Sequence, residues 1–89
     1  MKIADGFLLR KIMNRWMVVP TGKATARTGG MLSLNESSAL LWEALEKGSD
    51  EDSLAALLCE HYLTDLDTAL SDVRKFLQKL EESGVLSHE

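Results

Sequence analysis

The hydrophobic period changes once along this chain, at Asn35, and that single switch limits the fold more than any motif. Before it the apolar runs are short and carry β-branched or aromatic residues. Phe7–Met13 mixes apolar and charged positions, and after the polar pair Asn14-Arg15 comes Trp16-Met17-Val18-Val19, which stops at Pro20. Proline has no N–H to give a ladder, so a strand is expected to end there. Two such runs around a short polar step predict an antiparallel hairpin, with Asn14-Arg15 as a turn lacking the usual glycine. Residues 20–30 hold the one proline and three of the six glycines (Gly22, Gly29 and Gly30), a loop composition. Met31-Leu32-Ser33-Leu34 then predicts a third short strand, with Met31 and Ser33 on one face and Leu32 and Leu34 on the other.

From Asn35 onward the spacing is helical. Asn35 is a good N-cap, Glu36 suits the positive helix end, and Ser38, Leu41, Trp42 and Leu45 share a face before Gly48 stops the helix. A second helix is predicted from Ser49-Asp50, with Ser49 and Asp52 resembling a capping box and Leu54, Leu57, Leu58 and His61 as its stripe. Thr64 or Asp65 caps the third and longest helix. Its stripe is Leu66, Ala69, Leu70, Val73, Phe76, Leu77 and Leu80. Gly84 ends it, and Val85-Leu86 is expected to fold back on Leu80. Strands first and helices second predict an α+β, winged-helix-like fold, a three-stranded antiparallel sheet followed by three helices. With 89 residues, one domain spanning 1–89 is expected.

Catalysis has little to work with. His61 reads as a partly buried helix-end residue and His88 stands one position from the end. No His-x-x-x-His or Cys-x-x-Cys pair occurs, and Cys59 is the single cysteine. Gly29-Gly30 lacks the rest of a phosphate loop, and Asp50-Glu51-Asp52 reads as a solvated, dipole-favoured helix start. The expectation is a non-enzyme with no metal and no cofactor. A formal net charge of -4 opposes nucleic-acid binding, and no apolar run is long enough for a membrane span, so a cytoplasmic module is expected. The charge is unevenly placed. Residues 1–30 hold six Lys/Arg against one acid, a sum of +5, and residues 31–89 hold four against thirteen, a sum of -9.

Binding is better supported. If Met31–Leu34 is a sheet edge, it carries no Lys, Pro or other charge to protect it, and such edges are either covered or used for pairing. From the residues alone, cover by the third helix or the loop is the stronger of the two alternatives.

Val18-Val19-Pro20, Leu32-Ser33-Leu34-Asn35-Glu36-Ser37-Ser38-Ala39, Leu41-Trp42-Glu43-Ala44-Leu45 and Gly48 together resemble the PqqD family. The likeness continues through Leu54-Ala55, Leu58, Tyr62, Asp72-Val73, Phe76-Leu77, Leu80 and Gly84-Val85-Leu86. No single motif is specific, but the ordered set covers nearly the whole chain. The resemblance implies a peptide chaperone, or RiPP recognition element. Such a protein binds the leader of a ribosomally made precursor peptide and presents it to a modifying enzyme, often a radical SAM protein. It implies that the leader adds as an antiparallel strand to Met31, Leu32, Ser33 and Leu34. The facing helix positions would come from Leu66, Asp67, Leu70, Val73, Arg74 and Leu77, with Leu34, Val73 and Leu77 also readable as core. Arg74 reads as a solvated charge or as a partner for an acidic leader side chain. The competing readings are a winged-helix DNA-binding regulator, opposed by a second helix without Lys or Arg, and a structural subunit of a modifying complex. The same edge would also allow a homodimer.

Overall fold

The computed structural model describes residues 1–22 and 32–87. The order of elements is β1 (Lys2–Ile3), β2 (Phe7–Ile12), β3 (Arg15–Pro20), β4 (Leu32–Leu34), α1 (Glu36–Lys47), α2 (Glu51–His61), α3 (Leu66–Glu82) and β5 (Leu86–Ser87). The expected α+β arrangement is present: β2, β3 and β4 form an antiparallel sheet in that order, and three helices follow. The predicted third strand is therefore β4, and Met31 at its start lies outside the described residues, as do Gly29, Gly30 and His88.

Two strands too short to show a period were not anticipated. β1 pairs antiparallel with β5, Ile3 opposite Leu86. The N–H of Ala4 donates to the Val85 carbonyl at 2.9 Å, and that of Ser49 to the Met1 carbonyl at 2.8 Å. This clip ties the first residues to the end of the helical layer and to the α1–α2 turn.

The hairpin turn sits one residue earlier than expected. Ile12 pairs with Arg15, so the turn residues are Met13 and Asn14, with φ of 52° and 65°. Positive φ at both positions is the type I′ geometry that matches strand twist. Asn tolerates it well, whereas Met13 is an unusual occupant. Its side chain is 93% exposed, so it prolongs the apolar run in sequence without joining the core. β3 ends at Pro20, as expected, with Pro20 opposite Phe7.

Side-chain oxygens cap all three helices. Asn35 Oδ1 accepts from Ser38 N–H, Asp50 Oδ1 from Ser53 N–H and Asp65 Oδ1 from Thr68 N–H, at 2.8, 2.7 and 2.7 Å. The predicted Ser49–Asp52 box is thus displaced by one residue to Asp50, and Asp65 rather than Thr64 starts α3. α3 ends in a Schellman motif: Gly84 at φ +74° donates to Glu81 and Val85 donates to Leu80, both at 3.1 Å.

The core gathers Phe7, Val18 and Leu34 from the sheet, Leu41, Trp42 and Leu45 from α1, Leu54, Ala55 and Leu58 from α2, and Ala69, Val73, Phe76, Leu77 and Leu80 from α3. Two expected stripes need correction. In α2, Ala55 is buried while Leu57 is only half-buried and His61 is exposed, because the inward face runs through Leu54, Ala55 and Leu58. In α3, Leu66 is 56% exposed at the first turn, before the helix reaches its neighbours.

Candidate functional site

Antiparallel pairing fixes which backbone groups of the sheet are already used. In a two-residue hairpin the flanking pair, here Ile12 and Arg15, exchanges both hydrogen bonds, and bonded and non-bonded pairs alternate from there. The alternation makes Arg10–Met17 and Leu8–Val19 bonded and Phe7–Pro20 non-bonded, which explains how Pro20 sits in the strand without its missing N–H being needed. One step further it requires a bonded Gly6–Thr21 pair, and Thr21 N–H does donate to the Gly6 carbonyl at 2.7 Å. Trp16 and Val18 therefore aim their N–H and C=O at β4, where they face Leu34 and Leu32. By the same alternation Ser33, opposite Met17, directs its own N–H and C=O away from β3. β4 has no second neighbour among the described residues.

Side chains on β4 divide accordingly. Leu34 is buried at 6% exposure, Leu32 packs half-buried against the core, and Ser33 points to the exposed face. Trp16, Ser33, Leu34 and Asn35 line a shallow depression of about 390 Å³ toward the hairpin end.

A second and larger cavity, about 520 Å³, begins where β4 runs into α1 and reaches α3. Asn35, Ser37 and Ser38 form its strand-side wall. Leu41, Leu58 and Phe76 make an apolar floor, Tyr62 and Thr64 close the α2 end, and Asp72, Lys75 and Lys79 line it from α3. Positions 72, 75, 76 and 79 are one helical face, adjoining the buried stripe and sharing Phe76 with it.

The six α3 positions drawn from the sequence lie elsewhere on the helix, and none lines this cavity. Val73 and Leu77 are core, at 0% and 7% exposure, and Leu70 is half-buried beside them. Leu66 and Asp67 are exposed in the first turn. Arg74 turns toward α2, its Nε 3.5 Å from Glu51 Oε1, an exposed pair of small energetic weight. Asp72, Lys75, Phe76 and Lys79 are the cavity residues that sequence reasoning passed over as groove positions.

The two acidic caps have carboxyls held below the ordinary carboxylate range. Asp50 is lowered by the hydrogen bond from Ser53 N–H, and Asp65 by the one from Thr68 N–H. Both lie at helix starts, and neither is among the residues that line the cavity. Among the described residues no group of His, Cys, Asp and Glu is placed to hold a metal ion, and no helix is long and apolar enough to cross a membrane.

The sequence profile of the family described as Coenzyme PQQ synthesis protein D (PqqD) matches residues 16–86, from the second residue of β3 into β5. The chain belongs to the PqqD family. That match spans both β4 and the α3 face that lines the cavity. No curated protein sequence matches the chain. Two solved structures are similar to it. One is TbiB1 in complex with the TbiA(beta) leader peptide, with a TM-score of 0.80 and 25% identity over 100% of this chain and 98% of that one. The other, a lasso peptide synthetase B1 complexed with the leader peptide, has a TM-score of 0.75 and 19% identity over 94% of this chain and 93% of that one, and shares the fold. The PqqD-like architecture expected from the sequence is thus the one observed.

Proposed function

We propose that this PqqD-family chain binds the leader segment of a ribosomally made precursor peptide, by strand addition to β4, and presents the peptide to a modifying enzyme. The observation that carries the reading is the edge of β4, which has no second neighbour among the described residues. Ser33 offers an outward N–H and C=O, without charge or proline to repel a partner, beside a cavity that continues to α3. The similar TbiB1 structure, itself holding a leader peptide, supports it. In this reading Met31, Leu32 and Ser33 flank the added strand, while Leu34, Val73 and Leu77 support the groove from beneath. Leu66, Asp67, Leu70 and Arg74 would meet a leader that extends along the outer flank of α3. Binding involves no bond making or breaking, so the chain acts without catalysis or cofactor, and the enzyme it serves, a radical SAM protein or another, performs the chemistry.

The test uses the leader region of a short precursor encoded beside this chain's gene. Calorimetric titration is expected to give micromolar or tighter binding, on the order of -8 kcal/mol. Backbone NMR shifts should concentrate on residues 32–34 and on α3. Absence of binding at millimolar peptide contradicts the proposal. A DNA-binding role is disfavoured by α2, which contains no Lys or Arg, and by the charge of -4.

A further inference from the structure

Resting on the strand-addition reading, we infer that the cavity between the start of α1 and the 72–79 face of α3 is an acid-selective anchor site. It takes a large apolar side chain of the bound peptide together with a carboxylate two residues away.

The argument begins with where the cations are. Residues 31–89 carry only four Lys/Arg among thirteen acids, yet two of those four, Lys75 and Lys79, line this one cavity. Lys79 suits the negative end of α3 and Lys75 stands one turn after Asp72, but the two lysines gain nothing from each other. Like charges four residues apart repel across one turn, and neither lysine has an ion-pair partner among the described residues. Asp72 faces the same space and leaves the α3 wall with an excess of one positive charge. The start of α1 contributes the uncharged side chains of Asn35, Ser37 and Ser38 to the opposite wall, its dipole being met already by Glu36 in the first turn, so the two lysines carry the attraction for a carboxylate. Between these walls the floor of Leu41, Leu58 and Phe76 is apolar. An aliphatic or aromatic side chain fits that floor, and a carboxylate fits the rim. On an added strand, side chains on one face recur every second residue, about 7 Å apart, which sets the i, i+2 spacing. Lys75 and Lys79, about 6 Å apart along the helix, span a similar distance.

The test is selection of a display library of fully randomised 12-residue peptides on the whole chain, in parallel with its Lys75→Glu/Lys79→Glu variant. Both lysines are exposed, so the variant is expected to stay folded, melting slightly below the parent because Lys79 stands in the last turn of α3. Peptides enriched on the parent should carry Asp or Glu two positions from a Leu, Ile, Phe, Tyr or Trp, and should shift the Ser33 amide. The double variant should bind them roughly three- to tenfold more weakly at low salt, and should itself enrich Lys or Arg at the acidic position. Peptides that shift Ser33 but show no acidic preference, or that bind the variant equally well, overturn this inference and leave strand addition standing. No enrichment, or enriched peptides that leave Ser33 unmoved, overturns both.

Discussion

The sheet has two edges, and they are built differently. β2 is six residues long and carries Arg10 and Lys11, whereas β4 is the three-residue run Leu-Ser-Leu. On β2 the alternation turns the Leu9 carbonyl outward, and Arg10 Nη1 donates to it at 2.9 Å, so the strand blunts its own edge. Lys11 lies over the Trp16 ring, its Nζ 5.5 Å from the centroid. On β4 the outward groups of Ser33 meet no such device among the described residues, and the strand leads straight into a cavity lined by α3. One edge is protected against pairing and the other, among the described residues, is not, which is why the binding role is proposed for β4.

The largest effect expected from probing this contrast is on stability. Leu34→Ala, at the buried face of β4, should cost about 2–5 kcal/mol in chemical denaturation. A near-neutral result would mean that β4 is not anchored to the core. Next come paired proline substitutions at outward-facing N–H positions. Ser33→Pro should weaken leader binding about tenfold or more while the fold persists, and Lys11→Pro on the opposite edge should leave affinity unchanged, both read by titration. Equal losses would erase the distinction between the edges. Arg10→Ala uncaps the Leu9 carbonyl, and a modest rise in concentration-dependent self-association by sedimentation is the expected outcome. The smallest effect concerns acid. Asp50 and Asp65 have lowered folded-state pKa values, so their stabilisation is fully present above the ordinary carboxylate range and is lost as pH falls through the lowered values. Thermal melts should hold steady from pH 7 to about 5 and fall below about 4. Asp65→Asn, which keeps a capping oxygen, should flatten part of that fall.

Much of this was legible in residue order. The change of period at Asn35 separates sheet from helices, and Asn35, Gly48 and Gly84 mark helix ends through capping chemistry that acts within one turn. The failures were also physical. Met13 reads as a strand residue because hydrophobicity does not reveal that a type I′ turn has claimed it. β1 and β5 are too short to have a period and exist because the ends of the chain meet in space. The α3 stripe was plain in the sequence, but which flank of it would border the cavity depends on how α3 lies against α1 and α2. Positions 72, 75 and 79 therefore escaped as groove positions, although residues 31–89 hold only four Lys/Arg.

The most direct test of the central claim is amide hydrogen exchange at Ser33, with and without the neighbouring precursor's leader. Strand addition predicts that the Ser33 N–H becomes strongly protected on binding while the outward N–H groups of Leu9 and Lys11 exchange as before. Binding that leaves Ser33 unprotected, or that protects the β2 edge instead, would contradict the account.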